Sequence, residues 1–159
     1  MFLDKLLEFD PSGTNITVTA ASTNVLDMLN ARDIGRGDTD LDILVIVQTT
    51  FTAAGAATLT TSLQSADDDG TGNPSTYYDQ ILTGAIPVAN LTAQRELLKA
   101  QVPIDSSAVS NNNTLPRFYR IYYTVATGPM TAGKVGAWII DHEGRAANYT
   151  YPSGFAVAN

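Results

Sequence analysis

The sequence predicts an all-β chain folded as a two-sheet β-sandwich, jelly-roll-like and of about eight strands. Three observations lead there. Thr, Val, Ile and Tyr cluster in short runs, and the runs are broken by Gly, Pro, Asn and Asp, the residues that punctuate turns. Within the clearest runs, apolar and polar side chains alternate with the period of two that sends them to opposite faces of a sheet. The 159 residues, 44% apolar, suit one domain with one core; the 16% charged share lies below the usual ~25%.

The elements follow in order. Ile16, Val18 and Ala20 alternate with Thr17 and Thr19, which predicts a first strand with one apolar face. Asn24 to Leu29 reads as a second, although Val25, Leu26, Met28 and Leu29 also fit a helical turn. In the run Leu41 to Phe51, Leu41, Ile43, Val45, Val47 and Phe51 share one face while Leu44 and Ile46 lie on the other. Both faces are apolar, so this is expected to be a central strand. Leu59 and Leu63 alternate with Thr60 and Ser62 in a fourth run, and Tyr77 to Ile86 supplies a fifth. Arg95 to Val102 contains good helix formers but lies between Pro87 and Pro103 in a strand-rich chain, and is expected to be a strand. In Phe118 to Ala126, Tyr119, Ile121, Tyr123 and Val125 oppose Phe118, Arg120, Tyr122 and Thr124. The run Lys134 to Ile140, with Trp138, comes last, and the GlyProMetThrAlaGly segment before it reads as a hairpin connection.

Both ends fall outside the alternation. Phe2, Leu3, Leu6, Leu7 and Phe9 form an apolar stripe before Pro11, and Tyr149, Tyr151 and Phe155 stand in a tail with Pro152 and Gly154. Such groups either fold back over the core or reach a neighbour. These eight residues are the candidate assembly contacts. The expected organisation is an N-terminal arm at 1–13, a jelly-roll domain at 14–141 and a C-terminal tail at 142–159.

Charge narrows the partners. With 16 acidic against 9 basic residues the net charge is −7, and nucleic acids, bound chiefly through cationic groups, are poor candidates. With no Cys, the chain has no disulfide and no thiolate ligand, which suits a reducing cytoplasm. The opening has no basic leader, and no run approaches the ~18–20 apolar residues of a membrane span, so a membrane is not an expected partner. Asn15, Asn90, Asn112 and Asn148 fall in N-x-T, read as chance in a chain rich in Asn and Thr.

Residues that bear chemistry are sparse. His142 is the single imidazole, too few for the several-histidine metal site of a jelly-roll enzyme, and no GxSxG surrounds any Ser. Counting from Asp67, oxygen ligands recur at Asp69, Thr71 and Asn73 with Gly72 sixth, as in a calcium loop; the twelfth residue is Tyr78 where that loop needs Glu. That loop and the stretch 37–42 therefore read as solvated turns. No Walker A or GxGxxG sequence offers a phosphate cradle. Carboxylate pairs for glycoside hydrolysis leave no linear motif and have no support here. Phe118, Tyr119, Tyr122, Tyr123 and Trp138 would suit a sugar platform, but their alternation favours core packing. No catalytic, cofactor or metal residue is assigned, and no enzyme is expected.

The opening MetPheLeuAspLysLeuLeuGluPheAspProSerGlyThr, the following IleThrValThrAlaAlaSerThrAsnValLeuAspMet and ArgAspIleGly, and residues 115–133 from LeuProArgPheTyrArg to MetThrAlaGly resemble the Bbp16-like phage capsid cement, or decoration, proteins over about residues 1–141. The chain departs from them in its longer Asp-Gly loop near 67–76 and its Tyr-rich tail. The resemblance implies a jelly-roll decoration protein on the outer surface of a tailed-phage head, made in the bacterial host cytoplasm and bridging major capsid subunits. It also implies a homo-oligomer, a dimer before a trimer, as second partner. The competing reading is a glycan- or receptor-binding jelly-roll module of a phage particle, since one fold hosts both roles.

Overall fold

One long antiparallel hairpin, rolled on itself, generates the sandwich. The computed structural model describes residues 5–28, 41–101 and 116–141. After a 3-10 turn at Lys5–Leu7 come β1 (Glu8–Asn15), β2 (Ala20–Ala21), β3 (Leu26–Asp27), β4 (Leu41–Ala53), β5 (Thr58–Ala66), β6 (Tyr78–Leu82), β7 (Ile86–Pro87), β8 (Glu96–Gln101), β9 (Phe118–Ala126) and β10 (Met130–Asp141). β2 and β3 both pair with β9, and β6 and β7 both pair with β5, so each couple is one interrupted strand and the ten reduce to eight. First then pairs with last, second with seventh, third with sixth and fourth with fifth, all antiparallel. Rolling this hairpin lays β10 beside β4 and β9 beside β5. The products are sheets of order β1-β10-β4-β8 and β2-β9-β5-β6, which is jelly-roll topology.

Alternation decides what each sheet buries. Ile43, Val45, Val47 and Phe51 of β4 meet Leu59 and Leu63 of β5 and Tyr119, Ile121 and Tyr123 of β9 in the core between the sheets. Leu44, on the opposite face of β4, is buried with Trp138 and Ile140 in a second cluster against which Ile46 packs. The central strand thus has two apolar faces, as its sequence reads. Gly136 lies under the Trp138 indole, where a Cβ would come within 2.1 Å of a ring carbon. Pairing with β4, and burial of Leu97 and Leu98, make a strand of 96–101 despite its helix-forming residues.

Three expectations are corrected. The first strand is β1, not Ile16–Ala20. At Ile16 to Thr19 the chain crosses from one sheet to the other, with Ile16 buried and Val18 58% exposed. Second, β9 and β10 belong to different sheets, so the connection between them is an arch and not a hairpin. It turns at Thr127 (φ 65°) and Gly128 (φ 107°) and lies beside the first crossing, Met130 N donating to Thr17 O at 2.8 Å. Spacing cannot separate an arch from a hairpin, because both need a short turn between two strands. Third, the sandwich begins at Glu8, and Phe9, expected in an arm, is fully buried in the core.

A buried carboxylate ties the two sheets together. Asp10 of β1 accepts the Tyr123 hydroxyl of β9 at 2.7 Å and both the N–H and hydroxyl of Thr23 at 2.8 Å. Both residues are almost wholly buried, and the bonds satisfy polar groups that would otherwise be left dry. Burial first, and the Asp10 carboxylate second, hold the Tyr123 hydroxyl well above its ordinary pKa.

Candidate functional site

β9 directs Tyr119, Ile121 and Tyr123 inward, which leaves Arg120, Tyr122 and Thr124 on the outer face of the second sheet. Register aligns two rows across β6, β5 and β9: Asp79, Gln64 and Arg120 in one, Leu82, Ser62 and Tyr122 in the other. The Arg120 guanidinium carbon lies over two aromatic rings, 3.6 Å from the centroid of Tyr77 and 5.2 Å from that of Tyr122. Its Nε donates to Gln64 Oε1 at 2.8 Å, and Gln64 Nε2 donates to Asp79 Oδ1 at 2.9 Å. Burial raises the Tyr77 hydroxyl pKa, with the Arg120 charge opposing it. Leu82 of β6 is 62% exposed. The face therefore combines tyrosine, arginine and an exposed apolar group, a composition typical of the centre of protein interfaces.

The neighbouring arginine is used differently. Arg117 donates Nε and Nη2 to Asp27 at 2.7 and 2.9 Å and Nη1 to Asp68, and its guanidinium lies 4.9 Å from the Phe118 ring centroid. These bonds raise its pKa further, Asp27 contributing most. They pin the 67–75 loop to β3. Within that loop Asp68 accepts the Gly70 and Gly72 amides, and Asp69 accepts the amide and hydroxyl of Thr71 and the amide of Asn73. Gly72 first and Gly70 next lower the Asp68 pKa, and the Thr71 hydroxyl lowers that of Asp69. Both carboxylates serve the loop's own turns, and among the described residues no three His, Asp or Glu are grouped to hold a metal. Arg120, by contrast, has no carboxylate partner among the described residues.

Three of the eight expected contacts fall within the described residues. Phe9 belongs to the core, Leu7 packs against it, and Leu6 lies in the 3-10 turn with its side chain outside the description. Phe2, Leu3, Tyr149, Tyr151 and Phe155, like His142, lie outside the described residues. Sequence reasoning missed the Arg120 cluster. The available signal was an arginine on the polar phase of β9 two residues before a tyrosine, where the pleat puts both on one face.

Fold and surface define the class: a jelly-roll domain with a tyrosine- and arginine-bearing outer sheet face. The chain matches the Bbp16 family over residues 11–139, from within β1 into β10, and belongs to that phage-related family. No curated protein matches it. Among the described residues no helix is long and apolar enough to cross a membrane.

Proposed function

We propose that this chain is a structural decoration, or cement, protein that sits on the outer surface of a tailed-phage head and bridges and stabilises major capsid subunits. The observation that carries the reading is family membership over residues 11–139, nearly all of the sandwich. A net charge of −7 keeps such a protein off packaged DNA, and the outer sheet face offers contact chemistry without requiring a catalytic group. Purified chain mixed with undecorated heads should co-sediment with them to saturation at a fixed ratio; heads that sediment bare overturn the reading. The glycan-binding alternative draws on the same tyrosines, but the Arg120 guanidinium already occupies one of the two faces of Tyr77 on which a sugar ring could stack. A glycan-array signal together with bare heads would favour that alternative. Truncation through residue 9 tests folding and not assembly, because it removes the buried Phe9.

A further inference from the structure

We infer that the outer face of the β2-β9-β5-β6 sheet pairs with the same face of a second copy, each Arg120 meeting the partner's Asp79. A twofold-symmetric interface must be self-complementary: if one residue touches a second, the second must touch the first. The two rows on this face have that property. Place two sheets face to face with the twofold axis running along β5 between them, so that the axis exchanges the β9 side of one copy with the β6 side of the other. Arg120 then opposes the partner's Asp79 and Asp79 opposes the partner's Arg120, because the two flank Gln64 on equivalent neighbouring strands. In the next row Tyr122 opposes the partner's Leu82 and Leu82 the partner's Tyr122 by the same operation.

The side chains suit these roles. Stacking on Tyr77 and the Nε bond to Gln64 fix the guanidinium before any partner arrives, so little freedom remains to be lost. Its two terminal nitrogens have no hydrogen-bond partner among the described residues, and these form the fork that receives a carboxylate. Gln64 holds Asp79 from its other end and so positions both charges. Ser62, on the axis, is already covered by its own sheet and adds no bulk to the face, while Leu82 at 62% exposure gains cover. A phosphate-bearing partner fits less well, since the face carries Asp79 beside its arginine and the chain is acidic.

Sedimentation equilibrium of the isolated full chain tests the pairing whether or not the chain decorates heads. The wild type should be a dimer. Arg120→Asp and Asp79→Arg should each weaken it by on the order of a hundredfold, since symmetry breaks the pair twice. The double variant carrying both changes should restore dimerisation, which separates pairing from misfolding. Leu82→Lys, at an exposed position, should weaken the dimer without lowering the melting temperature of the monomer. A wild-type monomer at all concentrations, a dimer indifferent to the single changes, or a double variant that fails to recover would each overturn the inference. So would a wild-type monomer whose binding to heads is lost in Arg120→Asp, which would assign the face to the capsid.

Discussion

Tyr123 and Asp10 show how one buried pair can hold two sheets. Asp10→Ala leaves the Tyr123 hydroxyl and the Thr23 donors without their acceptor, and should lower stability by about 1–3 kcal/mol in denaturant titrations. Thr61 is the opposite case: its buried hydroxyl has no partner among the described residues. Thr61→Val keeps the shape and removes the dry oxygen, so stability should be unchanged or rise by up to about 1 kcal/mol. The tyrosines also set an alkaline limit. Burial, assisted by the Asp67 carboxylate, pushes the Tyr119 hydroxyl up to about 12, and Tyr123 shifts in the same direction. Above pH 10, the ordinary tyrosine value, the unfolded chain releases protons that the folded chain retains. Stability is therefore whole below about pH 10 and falls as pH rises towards 12, which thermal melts across that window should show. The inward tyrosines were legible from alternation. Asp10 was not, because its partners Thr23 and Tyr123 lie 13 and 113 positions away and no local pattern links them.

At the scale of elements, β4, β5 and β9 were legible because each is a long run with a clear phase, and the two-faced apolar character of β4 already implied a central strand. The crossings were not legible. Ile16, Val18 and Ala20 alternate like a strand, yet the chain there passes between sheets, and Gly128 turns an arch with the residues of a hairpin. The 67–75 loop allows a direct check. Asp68 and Asp69 already accept backbone amides and Arg117, and the residue at the bidentate calcium position is Tyr78. Millimolar Ca²⁺ should leave the melting temperature unchanged; a clear rise would mean that a native-state calcium site forms there.

For the molecule as a whole, composition indicated an acidic all-β domain, and the motifs at 1–35 and 115–133 resembled the family to which the chain belongs. The candidate surface was less legible: apolar stripes in sequence drew attention to the termini, whereas the structure buries Phe9 and builds an exposed face from residues on three strands. Such a face arises from register, which only folding sets. Decoration of the phage head from outside is tested most directly by electron cryomicroscopy of heads imaged with and without the purified chain. Difference density of sandwich size on the outer surface, touching adjacent capsid subunits at regular positions, is the predicted result; shells that show no added density at saturating chain would contradict it.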